Sequence, residues 1–223
     1  MAVNGLAERH MPASADAHVA RIAAAGSASH PYVAYLACAA GPTTARDFDD
    51  MVHLLCSLYG RHPGLFDLAV YRCPAGPTQA WLTDAANAFE RERLYLVRLA
   101  AAVGPLPSTP GNAETEAALL AQRHALETLA QSERSGCALG AATALVSDWQ
   151  AVRPLLDRAA VRVGVEAPAC ALPDDTSVRQ SLSEAATGPA TERAIRFGSE
   201  QLLLQHRALF DLLEARSEAR EGY

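Results

Sequence analysis

Four side chains have the chemical type and the helical phase needed for metal or acid–base chemistry inside a helical protein. Glu92, Glu133 and His206 fall on the apolar seams of three long helical patterns, and His62 is in phase with an apolar face just before a Pro-Gly break. Carboxylates and imidazoles that point into a bundle core can hold two iron or manganese ions. These four are therefore the candidate polar core residues, and the sequence assigns no catalytic residue.

The spacing that a complete di-metal centre requires is missing. Such bundle sites take a Glu from each of two helices and an E-x-x-H pair from each of the other two. The sequence contains no E-x-x-H. Its nearest approaches are His124 with Glu127, in reversed order, and Glu200 with His206, at the wrong spacing. We therefore predict no metal and no cofactor, with iron or manganese in a degenerate or mononuclear site as the alternative.

Glu133 also has two structural interpretations. It can be an exposed acid at the edge of its seam, where a change costs little. It can also pair with an arginine such as Arg93 in the core, where a carboxylate needs a partner. Both compete with the role of metal ligand.

The element that must position these groups is the longest helical pattern of the chain, residues 112–150. Asn112 is a good N-cap, Glu114 and Glu116 favour the positive end of the helix, and Pro154 should end or kink it. Small residues in its second half predict a close crossing with another helix. An apolar stripe runs along the pattern, with Gln122, Glu133 and Asp148 as polar members; its apolar members are Leu119, Leu126, Leu129, Ala130, Cys137, Gly140, Ala141 and Ala144.

The other patterns are helical as well, so the fold class is all-α, a ferritin-like helical bundle with extra short helices. Three segments are expected: short N-terminal helices packed on the bundle (residues 1–42), the bundle (43–217) and a solvated tail (218–223). Residues 104–111, GPLPSTPG, hold three prolines and span about 22 Å as polyproline II. That length suits a crossover between helices that run roughly parallel.

Composition limits the partners. The net charge is −6, and the 19 arginines are interspersed with acids, so we expect no nucleic acid partner. There is no lysine for a Schiff base or a phosphate loop. Five scattered cysteines fit a reducing compartment, and no apolar run is long enough to span a bilayer. The sequence thus predicts a cytoplasmic protein without membrane association, and helix faces that can form a homo-oligomer.

The long helices, and the strut GPLPSTPG leading into AETEAALLAQRHALETLAQSERSGCALGAA, resemble an uncharacterised bacterial family of helical-bundle proteins. Some of its members are described as ferritin-like, and the resemblance covers roughly residues 43–216. It implies a domain of unknown function with no activity to carry over. The missing E-x-x-H departs from the metal-binding ferritin-like pattern.

Three functions remain open at this point. The first is a non-catalytic bundle with a binding or interaction role and an unknown small-molecule ligand. The second is a small metal-dependent oxidoreductase that uses the seam carboxylates and histidines. The third is a ligand-binding bundle of haem-oxygenase-like shape, in which His53 or His62 is an axial ligand.

Overall fold

The computed structural model describes residues 4–221, without the side chains of residues 4–14, 42 and 43. It is 79% helical, which confirms the all-α prediction. The described residues contain no β-strand. The helices are α1 (Asn4–Ala25), α2 (Pro31–Cys38), α3 (Pro42–Tyr59), α4 (Leu65–Arg72), α5 (Pro77–Ala102), α6 (Asn112–Ala130), α7 (Cys137–Val163), α8 (Asp175–Ala185) and α9 (Pro189–Glu221), with a 3-10 turn at Ser27–Ser29.

Helix α7 is the centre of the fold. It packs against each of the other α-helices, and its largest interface is with α9. The two helices come close where both lack side chains, because a Cβ on Gly140 would overlap the carbonyl oxygen of Ile195 and one on Gly198 would overlap that of Cys137. The small residues in the second half of the 112–150 segment therefore mark a close helix crossing, as expected.

The prediction of a single helix over residues 112–150 is wrong. Helix α6 ends at Ala130 and α7 begins at Cys137, with a turn between them whose last residue, Gly136, has a left-handed backbone (φ 95°). A residue with a Cβ rarely adopts that conformation, so QSERSG is a turn sequence in which the helical phase is lost. Pro154, which was expected to end or kink the helix, does not end it, because α7 continues through it to Val163.

The directions of the helices follow from their contacts. Asp50 and Tyr59 of α3 bond to Arg216 and His206 of α9, so these two helices are antiparallel. Helix α6 is antiparallel to α9 as well, because Thr115 also bonds to Arg216, while Gln122, further along α6, bonds to the earlier residue Gln205. Helices α3 and α6 therefore run one way.

Helices α5, α7 and α9 run the other way. The start of α7 at Gly136 lies next to Thr191 of α9, and Asp148 further along α7 bonds to His206 further along α9, so α7 and α9 are parallel. Glu92 of α5 bonds to Trp149 of α7, and Tyr95 bonds to the carbonyl of Leu156, so α5 and α7 are parallel. Helices α5 and α6 are consequently antiparallel, and the prediction of roughly parallel helices on either side of residues 104–111 is wrong. These two helices do not share a packed interface, since α5 lies on α3, α4, α7 and α8 and α6 on α3, α4, α7 and α9.

Residues 104–111 cross the end of the bundle and are held there by two arginines of α9: Arg216 donates to the carbonyl of Pro107 at 3.4 Å and Arg220 to the hydroxyl of Thr109 at 3.1 Å. Asp50 is fully buried between Arg216, at 2.9 Å, and Arg220. Arg216 also donates to the side chains of Asn112 and Thr115, at 2.9 and 3.1 Å. The start of α6 is thereby joined to α3 and to the end of α9.

The ends of the chain differ from the expected segments. Helix α1 already begins at Asn4 and packs on α7, α8 and α9, and α9 extends as far as Glu221 into the expected tail. Gly222 and Tyr223 lie outside the described residues. All five cysteines are free thiols. Among the helices of residues 4–221, none is long and apolar enough to cross a membrane.

Candidate functional site

A chain of buried polar groups crosses the core from the turn after α1 to the end of α3. Asp148 of α7 accepts hydrogen bonds from the backbone N–H and the hydroxyl of Ser27, at 2.6 and 2.5 Å. Its Oδ2 atom lies 2.5 Å from Nδ1 of His206, and Nε2 of His206 is hydrogen-bonded to the Tyr59 hydroxyl. All four residues are buried.

The protonation pattern of this chain follows from what each group can donate. Burial raises the pKa of Asp148, but the hydrogen bonds and charge of His206 and the bonds from Ser27 outweigh it and hold the pKa below its ordinary value. A carboxylate only accepts, so the shared proton sits on Nδ1 of His206. The other ring nitrogen, Nε2, is hydrogen-bonded to the Tyr59 hydroxyl. Burial, and then the charge of Asp148, raise the pKa of Tyr59 well above its usual value, so the phenol keeps its proton.

A second buried network adjoins the first. Glu92 is fully buried, and its carboxylate accepts from the indole N–H of Trp149 at 2.9 Å and from Arg153 at 2.5 Å. Arg153 also bonds to Asp157 at 2.8 Å. The ring of Trp149 packs edge-on against Tyr59, with 5.5 Å between the ring centroids, so the two networks share one aromatic contact.

A cavity of about 560 Å³ opens between α3, α4, α5 and α6, and Tyr59 forms part of its wall. This volume lies in the range of small-molecule sites. Its apolar surface comes from residues on five helices: Leu58, Phe66, Phe89, Leu126 and Leu145 among them. The polar chain from Ser27 to Tyr59 thus ends at the cavity wall.

Three arginines and three acids line the same cavity, but the arginines differ in whether they form ion pairs. Arg93 is engaged by Asp67 and Glu90, and its guanidinium also reaches a backbone carbonyl. Arg123 donates to the carbonyl and hydroxyl of Ser57, at 2.9 and 3.3 Å, and its buried Nε has no hydrogen-bond partner. Within the described residues, Arg123 forms no ion pair. Arg123 is thus a half-buried positive charge without a carboxylate partner in that part of the chain.

Of the four predicted polar core residues, Glu92 and His206 are buried, in the two adjacent networks. Glu133 and His62 lie elsewhere. The Glu133 side chain is 92% exposed in the turn after α6, 3.8 Å from Arg72, and the His62 side chain is 63% exposed beside Asp67. The cause for Glu133 is the helix break at residues 131–136, which moves it off the seam. The ion pair suggested with Arg93 is not formed, since Arg93 faces Asp67 and Glu90.

The two histidines considered as axial ligands are both engaged. His53 is partly buried, and its Nε2 lies 2.8 Å from the carbonyl oxygen of Gly104, which can only accept. His62 lies at the rim of the cavity, with Nδ1 3.1 Å from Asp67. In each of these rings one nitrogen is engaged by a protein oxygen.

One trio of potential metal ligands, His30, Asp211 and Glu214, converges in the described part of the chain. The Nδ1 atom of His30 accepts from the backbone N–H of Tyr32 at 3.1 Å, so the ring proton sits on Nε2 and points to Asp211 at 2.9 Å. A metal on Nε2 would require the proton on Nδ1, where it would face the Tyr32 N–H. The geometry therefore fits a helix cap and a hydrogen bond to Asp211 better than a metal site.

Sequence reasoning missed the residues that complete these networks. Tyr59 looked like one more member of an apolar stripe, and Ser27, Arg123 and Arg153 had no motif. Asp148 did carry a usable signal, because a carboxylate on an apolar seam needs a buried partner. His206, on the seam of another helix, is that partner.

Comparison with known proteins gives a family but no activity. No curated protein and no solved structure matches the chain. A family model described as a family of unknown function, DUF6975, matches residues 22–221, which takes in the last turn of α1 and all of α2 to α9. The chain therefore belongs to this family of unknown function.

Proposed function

We propose that the protein is a non-catalytic binding protein and that its ligand is a small organic acid held in the cavity between α3, α4, α5 and α6. The observation that carries the proposal is Arg123. Its guanidinium lies on the wall of a cavity of about 560 Å³, is fixed by Ser57, and has no carboxylate partner in the described residues. Arg123 is half-buried and its buried Nε–H has no acceptor, so an acid group of a ligand could pair with the guanidinium.

The rest of the lining fits such a ligand. Leu58, Phe66 and Phe89 offer apolar surface for a hydrocarbon or aromatic body, next to Arg123. Glu127 lines the cavity one helical turn from Arg123 and can accept a hydrogen bond from a hydroxyl or amine of the ligand. Ligand sites of this kind combine an apolar wall with a few polar groups that set orientation.

The experiment compares carboxylic acids of four to ten carbons, aliphatic and aromatic, with their uncharged amides, by calorimetry on the purified chain. We expect at least one acid to bind saturably and its amide to bind at least about tenfold more weakly, since a charge-assisted pair contributes about 1.5–3 kcal/mol. Arg123→Gln should weaken the acid to the level of the amide. Arg98→Gln, on an exposed arginine outside the cavity, is the matched control.

Two results would overturn the proposal. Equal binding of acid and amide would show that charge is not recognised. Unchanged binding in Arg123→Gln, with the control also unchanged, would place the ligand elsewhere.

The two other functions have less support from these contacts. A metal-dependent oxidoreductase would need free ligand atoms, but both oxygens of Glu92 and both ring nitrogens of His206 are engaged by protein groups. Of the two histidines considered for a haem-type site, His53 does not line this cavity, and the His62 side chain is 63% exposed at its rim. The binding role needs no such rearrangement.

A further inference from the structure

His18 carries a buried nitrogen that the fold leaves without a partner. The residue lies on α1 and is 3% exposed. Its Nε2 atom is 3.1 Å from the Thr143 hydroxyl on α7. Its Nδ1 atom has no hydrogen-bond partner among the described residues, which is costly for a buried polar atom. His18 also lines a separate cavity of about 270 Å³ between α1, α8 and the start of α9.

The hydrogen bonds of Thr143 define the tautomer of His18. The Thr143 hydroxyl lies 2.9 and 3.1 Å from the carbonyl oxygens of Leu139 and Gly140, which can only accept its proton. Thr143 therefore accepts the Nε2 proton of His18. Burial, and then the charge of Arg21, lower the pKa of His18 to about 4, so the ring is neutral near pH 7. Nδ1 is consequently a lone pair that needs a donor.

The cavity that His18 lines has more basic than acidic side chains. Arg21, Arg193 and Arg196 line it, against one acid, Glu192. Arg21 and Arg196 also lie 3.5 and 3.8 Å from Glu200. Arg193 forms no ion pair within the part of the chain that the structure describes. A ligand of this cavity thus has His18 on one wall and guanidinium donors around it.

We propose that this cavity is a second binding site and that it takes a small hydroxy acid. The hydroxyl of such a molecule donates to Nδ1 of His18, and its carboxylate accepts from the arginines. A simple carboxylate lacks the donor, and a neutral alcohol lacks the charge. The site is independent of the cavity that Arg123 lines, which lies between other helices.

The test uses matched pairs of acids on the full chain, with ¹⁵N spectra of the histidine rings as the readout. The pairs are lactate with propionate, and malate with succinate, which differ by one hydroxyl. We expect the hydroxy acid of at least one pair to bind at least about tenfold more tightly than its partner. Its binding should shift the Nδ1 resonance of His18, which in the free protein has the frequency of a nitrogen without a proton.

Two variants distinguish this site from others. His18→Phe should abolish the preference for the hydroxyl, and Arg193→Gln should weaken both acids of the pair. Arg207→Gln, an exposed arginine of α9 outside the cavity, is the control. If His18→Phe does not fold, the Nδ1 shift in the unaltered protein still decides. Equal affinity within both pairs, or an Nδ1 resonance that no acid shifts, would mean that the lone pair meets only water, and the proposal would fail.

Discussion

Asp148 and His206 are 58 residues apart in the chain and are hydrogen-bonded to each other in the core, with 2.5 Å between Oδ2 and Nδ1. The pair joins the two parallel helices α7 and α9 about midway along their contact. Asp148 holds three donors at once: Nδ1–H of His206 and the backbone and hydroxyl donors of Ser27. The turn after α1 therefore depends on the same carboxylate as the central helix pair.

Asp148→Asn should destabilise the protein by about 3 kcal/mol, although it changes no volume. The amide has one oxygen, so its NH₂ group must face a buried donor, either at Ser27 or at His206. Urea unfolding followed by circular dichroism measures the effect as a lower midpoint at unchanged slope. A loss below 1 kcal/mol would contradict the role of Asp148 as a shared acceptor.

Glu133→Gln is the same chemical change at a solvated position, and we expect an effect within about 0.5 kcal/mol. The only ion pair of Glu133 in the described structure is at 3.8 Å with Arg72, and both side chains are largely exposed. Calorimetric melting of the variant beside the unaltered protein checks this. A cost of several kcal/mol would mean that Glu133 is buried after all, as the helical pattern first indicated.

Gly198→Ala and Gly140→Ala should each cost at least about 2 kcal/mol, because the new methyl group would overlap a backbone carbonyl of the neighbouring helix. Backbone cannot move aside as a side chain can, so α7 and α9 would have to separate. Gly188→Ala is the matched control, since a Cβ there meets nothing within 4 Å. Thermal unfolding of the three variants is the measurement. Equal melting temperatures would show that the helices are not held at this distance.

The helical periodicity of the sequence was informative wherever the helix was real. It placed Glu92, Asp148 and His206 on apolar seams, and all three are buried. The periodicity placed Glu133 on the apolar seam wrongly, because it assumed that the helical phase of α6 continues through the turn at residues 131–136. A polar stretch with Ser and Gly inside a helical pattern is a turn signal of its own, and it outweighs periodicity.

Other features are set by tertiary packing and had no local signal. Pro154 did not stop α7, because that helix is enclosed by neighbours whose packing exceeds the cost of one lost backbone bond. The partner of Tyr59 is 147 residues away, so no spacing rule could reveal it. The length of residues 104–111 likewise could not decide whether they run along the bundle or across its end.

Arg153→Met should cost about 3–5 kcal/mol, because it leaves the fully buried carboxylate of Glu92 with only the Trp149 N–H. The double variant Glu92→Leu with Arg153→Met removes both charges and should recover much of the loss. Chemical denaturation of the single and double variants gives the coupling. If the double variant is as unstable as the sum of the two single variants, Glu92 and Arg153 do not act as a pair.

The lowered pKa of His18 makes a prediction about pH. In the unfolded chain His18 takes up a proton near pH 6.5, but in the folded protein only near pH 4. Between these values the unfolded state binds more protons, so stability falls as the pH falls through this window. The loss is complete below about pH 4 and amounts to about 3 kcal/mol. Above pH 6.5 His18 is neutral in both states and has no effect. Arg21, Arg193 and Arg196 oppose its protonation, and Glu192 favours it.

His18→Gln cannot titrate and should remove this part of the pH dependence, while His124→Gln, at an exposed histidine, should retain it. Unfolding free energies of the three proteins from pH 7 to pH 4 give the comparison. Asp148 does not obscure it, because its pKa lies below 3.8 in the folded protein and its contribution is lost mainly at lower pH. Parallel curves for the unaltered protein and His18→Gln would mean that His18 takes up its proton in the folded state, and that its Nδ1 atom is not held as a buried lone pair.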